Sequence, residues 1–186
     1  MKRPIYLDHH ATTPLDPRVL DAMQPFLTED FGNASSRTHV YGWRAEAAVD
    51  DARERLAAAI GARKPSEIVF TSGTTESDNL ALFGVLRASR ERRGLAVSAI
   101  EHPAVLDPAR VLEREGVTLT VLPVDSQGRV APQDVSGALD DQTALVSVMS
   151  ANSEVGTVQP VAEIAAACRE RAVPFHTDAA QACLLY

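Results

Sequence analysis

The sequence predicts an α/β fold: a mostly parallel β-sheet with α-helices on both of its faces. Short apolar runs alternate with segments whose apolar residues recur at helical spacing over most of the chain. With 186 residues, 45% of them hydrophobic, the chain is long enough and apolar enough for a domain with a substantial core. The sequence shows no internal repeat, low-complexity segment or linker.

The N-terminal third contains one strand candidate and two helix candidates. Ile5–Leu7 is a short apolar strand candidate, followed by a polar loop that ends in proline. Pro17 can begin a helix with Asp16 as its N-cap, because proline is tolerated in the first turn of a helix. A long helix is predicted from about His39 to Ile60, and Gly61 provides its C-terminal stop.

The rest of the chain alternates between strand and helix candidates. Ile68–Phe70 is predicted to be a buried strand, and a helix follows it with apolar positions between residues 80 and 86. The later predicted elements are, in chain order, strand 95–100, helix 103–114, strand 117–122, a polar turn at 124–130, helix 132–139, strand 144–149, helix 161–171 and strand 173–177.

Charge and composition argue against several classes of protein. The net charge of −7 and the lack of a basic block argue against a nucleic-acid-binding surface. No apolar run approaches the length of a membrane span, and the N-terminus lacks the apolar stretch of a signal peptide. The expected protein therefore works in the cytoplasm, without membrane or nucleic acid.

Neither cysteines nor histidines form a metal-binding pattern. Cys168 and Cys183, the only cysteines, are too far apart in sequence for metal-ligand spacing and do not form a disulfide framework. His9 and His10 are adjacent, but neighbouring residues do not face one another on a helix or strand, and no third ligand is nearby. We therefore expect no metal site.

Residues 71–79, Thr-Ser-Gly-Thr-Thr-Glu-Ser-Asp-Asn, are the most informative stretch of the sequence. They place hydroxyl side chains and one glycine between a predicted strand and the start of a helix. The first backbone N–H groups of a helix have no internal partner and carry partial positive charge, so this arrangement suits a phosphate. Gly73 would let the backbone approach the phosphate, and Thr71, Ser72, Thr74 and Thr75 offer hydroxyl donors. The same residues also suit an ordinary helix cap, and the stretch alone does not separate the two interpretations.

Polar residues follow four of the predicted strands, where ligands bind in open α/β sheets. This grouping of sequence-distant residues favours a binding site at one edge of the sheet. The four places are residues 71–75, Glu101 with His102, residues 152–154, and residues 178–181.

The side chains at these strand ends suit a phosphorylated heteroaromatic cofactor, and pyridoxal 5′-phosphate (PLP) fits best. Asp178 could hold the proton of the pyridine nitrogen, or it could cap a helix. His102 could stack on the ring, or it could be an ordinary surface histidine. Asn152 and Gln181 could reach the ring oxygen or the substrate carboxylate, or could make only loop hydrogen bonds. His176, inside the last strand, is interpreted as structural.

Taken together, these motifs resemble the cysteine desulfurases, PLP enzymes of the class V aminotransferase group. The resemblance implies that Thr74 and Thr75 bind the PLP phosphate and that catalytic His102 stacks on the ring. It also implies that Asp178 contacts the pyridine nitrogen, that Gln181 contacts the ring hydroxyl, and that Asn152 lies beside the ring and the substrate. The motifs lie in family order and span almost the whole chain: residues 7–14, 31–33, 71–79, 101–102, 152–156 and 176–181.

The resemblance also implies a fold, a reaction and partners. The fold would be an incomplete form of the large domain of PLP fold-type I enzymes at residues 16–186, with residues 1–15 as the first segment of a small domain. The reaction would transfer sulfur from L-cysteine to an enzyme cysteine, giving alanine and a persulfide for iron–sulfur cluster assembly or tRNA thiolation. The partners would be a sulfur-acceptor protein and a second copy in a homodimer.

The sequence departs from the family pattern in two respects. Ser153 replaces the second asparagine of a common Asn-Asn-Glu motif, and the sequence ends at Tyr186, before the family's Schiff-base lysine and persulfide cysteine. Neither Lys2 nor Lys64 matches that lysine, so the expected chain is the N-terminal half of a desulfurase, inactive alone. The alternatives are a lysine-free PLP-binding or regulatory partner of a full-length desulfurase, and another class V enzyme such as a selenocysteine lyase.

Overall fold

The computed structural model describes residues 4–182, so Lys2 and Cys183 lie outside the described residues. The chain divides into two compact units, one ending at Phe70 and the other beginning at Thr71. The predicted domain boundary after residue 15 is a different division and stays a prediction.

Two helices form most of the first unit, and both were predicted. Helix α1 (Pro17–Thr28) begins where Asp16 accepts a hydrogen bond of 2.8 Å from the backbone N–H of Arg18. Helix α2 (Val40–Ile60) ends at Gly61, whose φ of 71° lies in the left-handed region that glycine adopts without a steric penalty. The capping chemistry of the sequence therefore determines both of these helix ends.

Two strands predicted in this unit are wrong. The side chains of Ile5 and Leu7 are 87% and 83% exposed, and residues 5–7 pair with no described strand. Residues 68–70 are also unpaired, and Val69 is 64% exposed. Instead, Arg53 Nε donates to the carbonyl of Ile68 at 3.3 Å. An apolar β-branched run suits a strand, but a strand forms only where a neighbouring strand satisfies its backbone groups.

The second unit contains a four-stranded parallel sheet, and the predicted α/β fold is confirmed. The strands lie in the order β2-β1-β3-β4, and every neighbouring pair is parallel. Each strand coincides with a predicted apolar run, shortened by one to three residues. The elements are α3 (Thr74–Ala88), β1 (Gly94–Ser98), α4 (Pro103–Arg114), β2 (Thr118–Leu122), α5 (Pro132–Ala138), β3 (Thr143–Ser147), α6 (Val161–Glu170) and β4 (Phe175–His176).

Helices cover both faces of this sheet. Leu95 and Val97 of β1 point to one face, where they belong to a buried cluster with side chains of α3 and α4. Ala96 points to the other face and belongs to a second cluster with side chains of α5 and α6. Successive residues of a strand face opposite sides, so a strand buried on both faces is apolar throughout.

The strand order reverses between β1 and β3, because the chain passes from β1 to β2 on one side and then returns to β3 on the other. A crevice forms outside the carboxyl ends of the strands at such a point, and ligands of open α/β sheets bind there. Within residues 4–182, each helix falls short of the length or the apolarity that a membrane span requires.

Candidate active site

A cavity of about 150 Å³ lies at the carboxyl ends of β1, β3 and β4, beside the N-terminus of α3. All the residues around it belong to the second unit. Five of the six residues predicted to bind a cofactor are among its lining, and Asn152 is the exception. The lining consists of Thr74, Thr75, Asp78, His102, Ala104, Met149, Ala151, Ser153, Asp178, Ala180 and Gln181.

The N-terminus of helix α3 faces this cavity through Thr74 and Thr75, its first two residues. Gly73 is the N-cap, and no side chain caps the helix in the described structure. An added Cβ at Gly73 would meet no atom within 4 Å, so the space in front of the helix end is open. Two hydroxyls and an uncapped helix end therefore form a site with the polarity that an anion requires.

The other two hydroxyls of the motif hold the turn together. The hydroxyl of Thr71 donates to the carbonyl of Gly73 at 3.1 Å. The backbone N–H and the hydroxyl of Ser72 both donate to the carboxylate of Glu76, at 2.7 and 2.6 Å. The hydroxyl bond is the main reason that the pKa of Glu76 is lowered. The four hydroxyls offered by the sequence thus divide into two that shape the turn and two that line the cavity.

His102 is both a helix cap and a cavity residue. It is the N-cap of α4, where its Nδ1 accepts a hydrogen bond of 3.1 Å from the backbone N–H of Ala104. A nitrogen that accepts carries no proton, so the neutral ring holds its proton on Nε2. The ring also lines a neighbouring groove of about 470 Å³, which shares Thr75, His102 and Ala104 with the cavity.

Glu101 joins the loops that follow β1 and β3. Its Oε1 accepts hydrogen bonds from the hydroxyl of Ser98 at 2.6 Å and from the backbone N–H of Met149 at 2.7 Å. Its Oε2 has no hydrogen-bond partner among the described residues. Burial is the main reason that the pKa of Glu101 is raised to about 7. Glu101 therefore holds the backbone of Met149, which lines the cavity, and carries one oxygen without a partner among the described residues.

Asn152 lies in the loop after β3, and its amide group holds that loop in place. Its Nδ2 donates to the carbonyl of Ile100 at 2.9 Å, and its Oδ1 accepts from the backbone N–H groups of Glu154 and Val155. The next residue, Ser153, lines the cavity. The structure thus brings Asn152 to the edge of the site with its polar atoms already engaged by the loops, and its predicted contact with a cofactor stays a prediction.

Asp178 and Gln181 form the wall of the cavity that follows β4. Asp178 is buried, and its Oδ1 accepts from the backbone N–H of Ala180 at 2.9 Å. Its backbone carbonyl accepts from the N–H of Ser150 at 2.8 Å, which connects this wall to the loop after β3. A turn follows Asp178 as far as the described residues extend, and the alternative role of helix N-cap stays open.

The sequence did not single out Asp78 as a site residue, but the structure places it in the cavity. Its side chain is 1% exposed, and its Oδ1 lies 3.4 Å from Nε2 of His176. Burial, followed by the nearby charge of Asp178, raises the pKa of Asp78 to about 6. A signal was present in the sequence: Asp78 follows Thr74 and Thr75 by four and three residues, which places all three on one side of a helix.

His176 connects α3 to the sheet, as its structural interpretation predicted. Its Nδ1 lies 2.9 Å from the hydroxyl of Ser147 on β3, and its Nε2 faces Asp78 on α3. Burial lowers the pKa of His176, because removal from water disfavours the charged ring.

Comparison with known proteins places this site in a family. The family profile of class V aminotransferases matches residues 5–185. The cysteine desulfurase of Mus musculus is 53% identical over 97% of this chain and 39% of its own length. The cysteine desulfurase IscS of Rickettsia akari is 51% identical over 96% of this chain and 43% of its own length. The chain therefore spans about two fifths of the length of these curated relatives.

A solved structure is similar over nearly the same extent. The structure of SspA in complex with cysteine superposes with a TM-score of 0.86 and is 39% identical, covering 92% of this chain and 49% of that one. The predicted resemblance to the N-terminal half of cysteine desulfurases is thus confirmed. The matched profile, the parallel sheet and the relatives together show that the chain belongs to the aminotransferase class V family.

Proposed function

We propose that these residues belong to a cysteine desulfurase and form the part of its active site that holds PLP. The observation that carries the proposal is one cavity in which four sequence-distant segments meet, with an uncapped helix end at one side and a buried carboxylate at another. The names of the curated relatives support the choice of this enzyme within the class V family.

The chemistry of the lining fits the cofactor group by group. Thr74, Thr75 and the N-terminus of α3 would bind the phosphate, because the helix end supplies N–H donors and partial positive charge. Asp178 would hold the proton on the ring nitrogen, and Gln181 would meet the ring hydroxyl. His102, held by its bond to α4, would present the face of its ring for stacking.

The reaction that we propose for the whole protein transfers sulfur from L-cysteine to an enzyme cysteine and releases alanine. When bound, PLP would withdraw electrons from the substrate carbon. The described residues would bind and orient the cofactor: Asp178 would hold the proton at the ring nitrogen, and His102 would keep its own proton on Nε2. The relative solved in complex with cysteine supports the choice of substrate. The persulfide would supply iron–sulfur cluster assembly or tRNA thiolation through an acceptor protein.

Large exposed apolar side chains support a homodimer. Proteins commonly bury large apolar surfaces of this kind against a partner. In both units large apolar side chains are more than half exposed, among them Ile5, Leu7, Leu27, Phe31, Ile60, Val69, Leu80, Val121, Val155 and Val158. Light scattering over a wide concentration range tests the proposal: a dimer or larger assembly is expected, and a monomer at every concentration contradicts it. The cytoplasm stays the predicted compartment.

The binding proposal is tested with pyridoxine 5′-phosphate, which carries the ring and phosphate of PLP but no aldehyde and so forms no covalent bond with surface amines. At a hundredfold excess over Kd, binding should raise the free energy of unfolding by about 2.7 kcal/mol. Thr75→Val and Asp178→Asn should each reduce this protection. Thr120→Val, at an exposed strand position outside the cavity, is the matched control. Equal protection of the wild type and both cavity variants contradicts the assignment.

The activity proposal is tested with the product of the whole open reading frame that contains this sequence. Incubated with L-cysteine, PLP and a thiol reductant, it should form alanine and sulfide in equal amounts, and Asp178→Asn should reduce both. A protein that binds PLP and forms no alanine from L-cysteine would be a class V enzyme with another substrate.

A further inference from the structure

Asp78 is a buried acid, and only one of its two carboxyl oxygens has a polar partner among the described residues. Its Oδ2 is buried and has no hydrogen-bond partner among the described residues. The side chain lines the cavity, in the second turn of α3 and behind the two threonines. A buried carboxylate oxygen without a partner is costly, so the group must hold a proton or face a cation.

The direction of the Asp78 carboxylate is fixed from the sheet. His176 lies between Ser147 and Asp78, with 2.9 Å from its Nδ1 to the serine hydroxyl and 3.4 Å from its Nε2 to Asp78 Oδ1. Where the hydroxyl donates to Nδ1, the neutral imidazole carries its proton on Nε2 and turns it towards Asp78. One oxygen of Asp78 thereby faces His176 of the sheet, and the other is buried without a hydrogen-bond partner among the described residues.

Asp178 lines the same cavity, so two carboxyl groups share it. A third, Glu101, accepts a hydrogen bond from the backbone of the lining residue Met149, and the charges of Asp178 and Asp78 both raise its pKa in addition to burial. For Asp78, burial and the charge of Asp178 raise the pKa, and His102 lowers it. Among the described residues, His176 is a further titratable group that faces Asp78. A cavity with this set of acids takes up protons when it holds no cation and releases them when a cation enters.

We propose that Asp78 is a second acidic partner, beside Asp178, for the protonated ring nitrogen of the cofactor, and that Asp78 gives up its own proton when that cation binds. The inference rests on the proposed function and extends it to a residue and a proton that the function did not require. In the exchange, the O–H bond of Asp78 would break and its proton would pass to solvent, and the carboxylates of Asp78 and Asp178 would then together balance the charge of the ring nitrogen.

Isothermal titration calorimetry with pyridoxine 5′-phosphate tests the proposal at pH 6, in two buffers of different ionisation enthalpy. The difference between the buffers counts the protons exchanged on binding. Asp78 is about half protonated at this pH, so the wild type should release roughly half a proton more than Asp78→Asn. Protons exchanged by the ligand's phosphate are common to both proteins and cancel. Asp78→Asn should also bind the ligand about tenfold more weakly. A charge interaction that shifts a pKa by about one unit corresponds to a tenfold change in Kd.

Asp134→Asn is the matched control, because it makes the same substitution at an exposed position on α5 outside the cavity. It should bind and release protons as the wild type does. Equal proton release and equal Kd in the wild type and Asp78→Asn would overturn this inference while leaving the proposed function intact. No binding to the wild type would overturn both.

A second measurement needs no substitution and so does not depend on how the variant folds. The pKa of the Asp78 carboxyl is followed by carbon NMR with and without pyridoxine 5′-phosphate. A fall in that pKa on binding supports the proposal, because a nearby cation favours the carboxylate. An unchanged pKa overturns it and leaves Asp78 as a structural partner of His176.

Discussion

Replacing Glu101 with glutamine should stabilise the protein above neutral pH. Glu101 is 4% exposed, its Oε1 accepts two hydrogen bonds, and its Oε2 has none. Burial raises its pKa from 4.5 to about 7. Glutamine keeps an acceptor oxygen for Ser98 and Met149 but has no charge to desolvate.

The direction of the effect follows from proton linkage. The unfolded chain ionises this group near pH 4.5, but the folded chain ionises it only near pH 7. Below pH 4.5 both states are protonated and the group has no effect on stability. Between those values the unfolded state loses its proton first, so the folded state becomes less stable as pH rises, by at most about 3 kcal/mol above pH 7.

The assay compares thermal unfolding of the wild type and Glu101→Gln at pH 5 and pH 8. The gain from the substitution should be larger at pH 8 than at pH 5 by about 2 to 3 kcal/mol, which is a shift in Tm of roughly 5–10 °C for a chain of this size. Glu113→Gln, at an exposed position on α4, should show the same gain at both pH values. A pH-independent gain, or a larger one at pH 5, would refute a buried, readily protonated Glu101.

Two further predictions concern stability. Leu82→Ala should lower the free energy of unfolding by about 2–5 kcal/mol, because Leu82 is fully buried in the cluster between α3, α4 and the sheet. Leu80→Ala, on the exposed side of α3, should change it little. Chemical denaturation measures both changes, and equal losses of stability would contradict the packing described. Asp16→Ala should destabilise the first turn of α1 through loss of its cap, seen as reduced hydrogen-exchange protection of that turn; unchanged protection would show that the cap does not stabilise the helix.

Most of the secondary structure could be predicted because its causes are local. Proline starts, a glycine stop and apolar periodicity place the helices, and α4 begins and ends at the predicted residues, Pro103 and Arg114. The strands predicted at residues 5–7 and 68–70 were wrong because the backbone groups of a strand need a partner from elsewhere in the chain. A short apolar run does not reveal whether such a partner is present.

The binding site was predictable to the level of which loops meet. Parallel strands end at one edge of a sheet, so side chains after β1, β3 and β4 come together whatever the loops between them do. The individual contacts were not predictable: Asn152 turns its amide into the loops, and the cavity is lined by Ser153 beside it. Which neighbour faces a cavity depends on loop dihedrals that a single sequence does not display.

The sequence by itself determined the order of the α-helices and of the four strands of the sheet, the class V family and the segments that converge on the site, since each follows from periodicity, capping residues or motifs along the chain. Only the tertiary structure decided the pKa values of the acidic residues in and beside the cavity. Nothing in the sequence distinguishes Asp78 and Glu101 from exposed acidic residues. Their pKa values rise because the fold removes their carboxyl groups from water. Burial and the distance between charges are properties of three-dimensional packing, which brings together residues as distant in sequence as Asp78 and Asp178.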